Sequence, residues 1–226
     1  MSQLEAIEIE TTASPGAAII WMHGLGADGH DFVDIVPELG LPARPGVRFV
    51  FPHAPMRPVT INGGYVMRAW YDIRDDGGVR REDPAGVRAS QKSIEALIQR
   101  ERERGVPARS IVVAGFSQGG AMALQTSLRH GERLAGVMAL SCSLPLADTL
   151  AAEAAPANRD VPIFMAHGTH DPMIPLARAI RARETLVGLG YRVEWHEYPM
   201  PHSVSLEEIR DIAAWLGAVL SFGRPS

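Results

Sequence analysis

The feature that most constrains the fold is the placement of short, largely apolar runs, most of them ended by Gly or Pro, between longer amphipathic stretches. Ala17 to Met22 runs into His23-Gly24, Val47 to Phe51 stops at Pro52, and Ile111 to Ala114 meets Gly115. Leu134 to Leu140 and Val161 to Ala166 (stopped at His167-Gly168) are runs of the same kind, and Val193 to Tyr198, ended by Pro199, reads as a last strand. Runs of this length with no polar alternation suit strands buried on both faces. Between them lie helical patterns with their own punctuation. A helix is expected from Asp28 or His30 to about Leu39. Another opens with Asp83-Pro84, an N-cap followed by proline at the first helical position, and closes at Gly105, with Ile94, Leu97 and Ile98 as its apolar stripe. A last helix carries Leu206, Ile209, Ala213, Leu216 and Leu220 on one face. Strands alternating with helices predict an α/β fold with a mostly parallel sheet covered on both sides. Ligands of such sheets sit at the carboxyl ends of the strands, so the residues just after each strand are the place to look for chemistry.

One domain is expected for 226 residues. The Ala-rich segment from Ala147 to Asp160 reads as a helix plus loop, too short to serve as an interdomain linker. The net charge of −4 gives no electrostatic case for nucleic acid or an anionic membrane. The local run Arg100, Arg102 and Arg104 alternates with Glu101 and Glu103 and reads as a solvated helix end. Cys142 is the single cysteine, which excludes an internal disulfide and argues against a thiolate metal cluster. The opening MSQLEAIEIE is acidic and lacks the apolar stretch of a secretory signal, and no run approaches the ~20 apolar residues of a membrane helix. A cytoplasmic location without stable membrane insertion is expected.

The chemistry begins after the strand Ile111 to Ala114. Gly115-Phe116-Ser117-Gln118-Gly119 is G-x-S-x-G, followed by Gly120 and a helix expected from about Ala121 to His130. A strand that turns sharply into a helix lifts a serine oxygen above the sheet, and the flanking glycines leave room where a Cβ would collide. A serine hydroxyl needs a neutral histidine to take its proton, and the histidine needs an acid to fix its tautomer. In this architecture the order is Ser, Asp or Glu, then His. His202 lies in the loop after the last strand, whereas His196 lies within that strand and is expected on its face. Asp171, in the turn His167-Gly168-Thr169-His170-Asp171-Pro172, is the acid expected to meet His202; Asp148 and Asp160 precede their strand and lie at the wrong end. The oxyanion of acyl transfer needs donors already in place. The backbone N–H of Gln118 is one candidate and that of Leu25, in His23-Gly24-Leu25-Gly26-Ala27-Asp28-Gly29, is the other. The same loop also reads as G-x-G-x-x-G, but Glu38 precedes the second strand and no acid ends it, which disfavours a dinucleotide site.

These segments, together with Phe51-Pro52-His53-Ala54-Pro55, Trp70-Tyr71-Asp72 and Pro199-Met200 with His202-Ser203, resemble the carboxylesterase, lysophospholipase and acyl-protein thioesterase family of small α/β-hydrolases. The resemblance covers nearly the whole chain, and Pro58 to Trp70 is especially similar to bacterial carboxylesterases of that group. It implies an α/β-hydrolase fold without a large cap domain, Ser117, Asp171 and His202 as the triad, and Leu25 and Gln118 as oxyanion donors. It further implies neither metal nor cofactor. It places Pro58 to Asp76 beside the site, with Trp70 and Met173 as substrate-binding side chains; a core aromatic is the other reading of Trp70. Homodimers occur in the family, and the resemblance leaves a homodimer open. The expected reaction is hydrolysis of a small-molecule ester with a short- to medium-chain acyl group, with thioester or lysophospholipid substrates as the alternative. A binding protein that keeps the fold without turnover is the rival reading, against which stands the complete triad. Two positions depart from the family pattern: Pro201 stands where Gly usually precedes the histidine, and Cys142-Ser143 follows Ser141 where Gly is usual. The first raises the question of how the His202 loop is aimed, the second whether Cys142 narrows a pocket.

Overall fold

A computed structural model describes residues 4–42, 45–77 and 79–220. In chain order the strands are β1 (Ala6–Glu10), β2 (Pro15–Met22), β3 (Gly46–Pro52), β4 (Met56–Val59), β5 (Tyr65–Arg68), β6 (Ile73–Asp76), β7 (Val79–Glu82), β8 (Ile111–Phe116), β9 (Gly136–Leu140), β10 (Ile163–Gly168) and β11 (Val193–Tyr198). The helices are α1 (Ile35–Glu38), α2 (Pro84–Glu103), α3 (Gln118–Ser127), α4 (Ala147–Glu153), α5 (Leu176–Gly188) and α6 (Leu206–Leu220). Seven strands form one sheet in the order β1-β3-β2-β8-β9-β10-β11. Every pairing in it is parallel except β1 with β3 at the edge. Two separate hairpins, β4–β5 and β6–β7, stand between β3 and α2.

The continuous apolar runs are explained by cover on both faces. Ala18, Ile20 and Met22 of β2 pack with Val113 of β8 and with Ile94, Leu97 and Leu124 of α2 and α3. The alternate residues Ala17, Ile19 and Trp21 pack on the other face with Phe49, Phe51 and, from α6, Ile212, Trp215 and Leu216. The Asp83 N-cap is realised: its carboxylate accepts the N–H groups of Ala85 and Gly86 at 3.1 and 3.0 Å. No described helix is long and apolar enough to cross a membrane.

The expected helix from Asp28 or His30 to Leu39 is corrected to a series of turns that becomes helical only at Ile35. The Asp28 carboxylate captures the His30 N–H at 2.8 Å, an Asx turn that competes with helical hydrogen bonding. The second Gly of this loop, Gly26, takes φ +81°. At its far end an added Cβ at Gly29 would lie 2.4 Å from the Phe51 carbonyl oxygen. The α3 helix begins at Gln118 rather than near Ala121, because the turn at Ser117 feeds straight into it.

The sheet order creates one switch point. From β2 the chain crosses to β3 on one side, and later β8 settles on the other. The loops after β2 and β8 therefore diverge above neighbouring strand ends and open a crevice there.

Candidate active site

Ser117 sits at the tip of the turn from β8 to α3 with φ 56° and ψ −119°. A non-glycine residue in that region costs on the order of 1–3 kcal/mol and persists only where its surroundings over-determine it. Here its N–H donates to the Leu140 carbonyl at 2.8 Å and its carbonyl accepts the Ala121 N–H at 3.0 Å. The flanking glycines are obligatory. A Cβ on Gly115 would lie 2.2 Å from the carbonyl carbon of Gly119, and one on Gly119 would lie 2.2 Å from the carbonyl oxygen of Met22.

Asp171 and His202 come from the loops after β10 and β11. Asp171 is buried, and both of its oxygens are engaged. Oδ1 accepts the N–H groups of Met173 and Ile174, each at 2.8 Å. Oδ2 lies 2.6 Å from His202 Nδ1. That bond places the ring proton on Nδ1 and leaves Nε2 with its lone pair free. The Phe116 ring packs against the imidazole with centroids 4.7 Å apart. Ser117 and His202 line one cavity of about 310 Å³. No hydrogen bond joins them in this structure among the described residues, and such contacts often tighten only when substrate is present. Pro201 leaves His202 within reach of Asp171, and its carbonyl accepts the Ser203 N–H at 2.9 Å. Gly168 lies directly beneath, where an added Cβ would be 2.4 Å from the carbonyl oxygens of both Met200 and Pro201.

A second histidine supports the acid. His167 is fully buried, its Nε2 lies 2.8 Å from the Ile174 carbonyl, and the same nitrogen is 3.4 Å from Asp171 Oδ2. Bonding to a carbonyl requires the proton on Nε2, and burial lowers the ring's pKa, which keeps it neutral. His196, by contrast, stays on β11, stacked on Phe164 with centroids 4.9 Å apart and 3.0 Å from Glu194, away from the cavity.

Leu25 and Gln118 both line the cavity, and their backbone N–H groups have no hydrogen-bond partner among the described residues. The loop holding Leu25 is organised by His23, whose importance the sequence did not disclose. Its Nδ1 donates to the Gly24 carbonyl at 2.7 Å and its Nε2 accepts the Ala54 N–H at 3.0 Å. Burial lowers its pKa to about 4, so the ring is neutral with a fixed tautomer. The Trp70 indole N–H donates to the His23 carbonyl at 2.9 Å. The Gln118 side chain closes the circuit, accepting the Trp70 N–H at 2.7 Å and donating to the Tyr71 carbonyl at 2.8 Å.

The expectation for Trp70 as a substrate-binding side chain is corrected. It is fully buried, and its neighbour Tyr71 reaches the cavity wall instead. Trp70 is a core aromatic whose polar edge braces the loop after β2. Met173 does line the cavity and is half exposed. Cys142 is buried behind the site, against Gly120, with its thiol pushed up to about 12 by burial; Ser143 faces the cavity in its place. The dinucleotide reading fails on geometry, because no helix starts where the loop His23 to Gly29 would hold a pyrophosphate.

With this geometry in place, comparison with known proteins gives a consistent result. The profile of the phospholipase/carboxylesterase family matches residues 4–220. Acyl-protein thioesterase 1 of Gibberella zeae is 41% identical over 209 residues, covering 88% of this chain and 89% of that protein. Acyl-protein thioesterase 1 of Yarrowia lipolytica is 37% identical over 221 residues, covering 96% and 97%. Among solved structures, Arabidopsis thaliana SOBER1 superposes with a TM-score of 0.84 at 30% identity, covering 90% of this chain and 99% of that one.

Proposed function

The chain belongs to the phospholipase/carboxylesterase family of serine hydrolases, and from that premise we propose that it cleaves acyl thioesters, and oxygen esters of the same acyl groups, through an acyl-Ser117 intermediate. In this reading the Ser117 hydroxyl oxygen attacks the acyl carbonyl carbon while His202 Nε2 takes its proton. The Leu25 and Gln118 N–H groups receive the oxyanion. The tetrahedral intermediate collapses, the bond to sulfur or oxygen breaks, and the leaving thiol or alcohol departs with the proton from Nε2. Water then repeats the sequence, giving its proton to Nε2 and its oxygen to the acyl carbon, and the free acid and Ser117 are restored. Asp171 accepts the Nδ1–H bond throughout and stabilises the transient imidazolium.

The observation that supports this most is the 2.6 Å bond from His202 to a carboxylate already oriented by two N–H groups, with the opposite ring nitrogen free in the cavity that holds Ser117. The sequence alone puts short- to medium-chain carboxylic esters first. The names of relatives at 41% and 37% identity favour thioesters as the leading substrate class, and nothing in the triad discriminates against them, because a thiolate leaves more readily than an alkoxide. The test is hydrolysis of a graded series of acyl thioesters beside p-nitrophenyl esters of equal chain length. Ser117→Ala should lower kcat by about 10⁴-fold or more, and an organophosphonate should attach to Ser117. Retention of activity in Ser117→Ala, or no labelling of the wild type, would refute the reading.

A further inference from the structure

Away from Ser117 and His202, the cavity has a wall of different chemistry. It is contributed by the start of α5, by the segment ahead of β6, by β7 and by the turn after β9. Arg178, the third residue of α5, lines it, and its guanidinium has no hydrogen-bond or ion-pair partner among the described residues. The other arginines on the wall are occupied: Arg80 donates to the Met173 carbonyl at 2.7 Å, and Arg81 lies 3.1 Å from Asp76. The hydroxyls of Tyr71 and Ser143 also lack partners among the described residues, and both residues line the cavity. Burial, followed by the Glu82 charge, raises the Tyr71 pKa, with Arg178 acting the other way. The phenol therefore stays a donor at neutral pH with Arg178 in its electrostatic neighbourhood.

Arg178, Ser143 and Glu82 are shared with an adjoining groove of about 380 Å³, whose further lining includes Asp148 and Arg181, so these two donors and one carboxylate stand at the junction of two hollows. A substrate that extends from the catalytic cavity into this groove passes them. A guanidinium without an ion-pair partner among the described residues, sharing its cavity with two hydroxyls, is a donor set suited to carboxylate or phosphate oxygens. Glu82 shares this wall outside ion-pairing distance of Arg178 and so tempers the field without occupying its donors; Asp31 lines the cavity from the loop after β2.

We propose that Arg178, with the hydroxyls of Tyr71 and Ser143, forms a subsite that holds an anionic group carried by the substrate, either a carboxylate on the acyl part or a phosphate on the leaving group. The inference rests on the hydrolase reading above, because it concerns which acyl compounds that site selects.

Matched substrate pairs test it. One arm compares a monoester of a dicarboxylic acid with a neutral ester of equal length. The other compares an acyl-coenzyme A with the acyl N-acetylcysteamine thioester. The wild type should favour the anionic member in at least one arm, which identifies the source of the charge. Arg178→Gln should reduce kcat/KM for that member about tenfold more than for its neutral counterpart, chiefly through KM. Tyr71→Phe should move the ratio in the same direction, and Arg178→Lys should restore part of it. Equal treatment of both members in both arms, or an equal loss for both in Arg178→Gln, overturns the proposal. Should the wild type turn over none of these compounds, the hydrolase reading fails and calorimetry decides the subsite separately. Succinate or inorganic phosphate binding that weakens about tenfold in Arg178→Gln supports it, and no binding of either by the wild type overturns it.

Discussion

Gly168→Ala should uncouple the acid–base pair from the serine while leaving the sheet in place. Gly168 is the last residue of β10, and its missing Cβ is where the loop carrying His202 rests. An alanine methyl there would lie 2.4 Å from the carbonyl oxygens of both Met200 and Pro201. A carbon and a carbonyl oxygen settle at about 3.3 Å, so the loop must retreat by about 0.9 Å. The strand cannot yield in its stead, because β10 is held in register by β9 on one side and β11 on the other. His202 would be carried with the loop away from Ser117, and the turn bearing Asp171 is tied to that loop, because the His170 N–H donates to the Met200 carbonyl at 3.1 Å. Misplacement of a catalytic group by about 1 Å costs on the order of 10²-fold in rate. The overpacking itself should cost about 1–3 kcal/mol of stability. The assay is kcat on a thioester, read by release of free thiol, alongside urea denaturation of the same preparation. Gly168→Ala should remain folded with kcat down about a hundredfold and a smaller change in KM. A variant with kcat within about threefold of wild type would refute the claim that this contact sets the position of His202.

Three further outcomes follow from buried charges and from the single thiol. Glu208, in the first turn of α6, is fully buried with neither carboxylate oxygen hydrogen-bonded, although the Ser205 N–H faces it, and burial raises its pKa from the ordinary 4.5 to about 8. The folded state therefore holds a proton that the unfolded state releases, so this stabilisation is complete below about pH 4.5 and is lost as the pH climbs towards 8. Glu208→Gln should match wild type at pH 4 and exceed it by about 3 kcal/mol at pH 7 in urea titrations; parallel pH profiles would count against it. Glu101→Ala should destabilise by about 3–5 kcal/mol, since the fully buried carboxylate lies 2.7 Å from the Arg48 guanidinium and 3.0 Å from that of Arg104; an unchanged denaturation midpoint would show the network to be idle. Cys142, buried with its thiol pushed up to about 12, should resist iodoacetamide in the native protein at pH 8 and react only after unfolding; rapid native labelling would contradict its placement behind the site.

The central strands were legible because a strand buried on both faces leaves a continuous apolar run, and β2, β3, β8, β9 and β10 each do so at least in some of their length, whereas β11, at the far edge of the sheet, mixes Val193, Trp195 and Tyr198 with Glu194, His196 and Glu197 and was marked by Pro199 at its end. That criterion passes over β1, whose alternation of Ile7 and Ile9 with Glu8 and Glu10 belongs to an edge strand. It also passes over the two hairpins, β4–β5 with exposed Met56, Tyr65 and Val66, and β6–β7 with its run of charged residues. The stretch Phe32 to Leu39 has helical periodicity, yet a carboxylate that bonds its own loop wins over propensity in the residues before it. Ser117, Asp171 and His202 could be proposed from sequence because topology confines such residues to strand ends in a fixed order, and the structure brings Asp171 to His202 and places His202 and Ser117 on one cavity. His23 could not, because its role depends on a contact with Ala54, 31 residues away. Trp70 was ambiguous for a like reason: whether an indole faces substrate or core depends on which backbone carbonyl its N–H finds, and here that is His23.

The same topology shows why the proposed oxyanion donors, the N–H groups of Leu25 and Gln118, need so few side chains to place them. At the switch point β2 and β8 are neighbours, and their loops leave in opposite directions from strand ends in direct register, with Met22 opposite Gly115. The two N–H groups thus arrive from different segments without either loop having to be long. Their mutual position is set by backbone touching backbone, since the α carbon of Gly119 approaches so closely that an added Cβ would lie 2.2 Å from the Met22 carbonyl oxygen and 2.7 Å from that of His23. Side-chain packing can relax around a substitution, but two main chains in contact on adjacent strands cannot separate without breaking the ladder. The Gln118 side chain adds a second tie, through Trp70, to the His23 carbonyl. A donor pair fixed in this way needs no reorganisation when negative charge develops on the substrate oxygen, which is where electrostatic stabilisation of acyl transfer gains most.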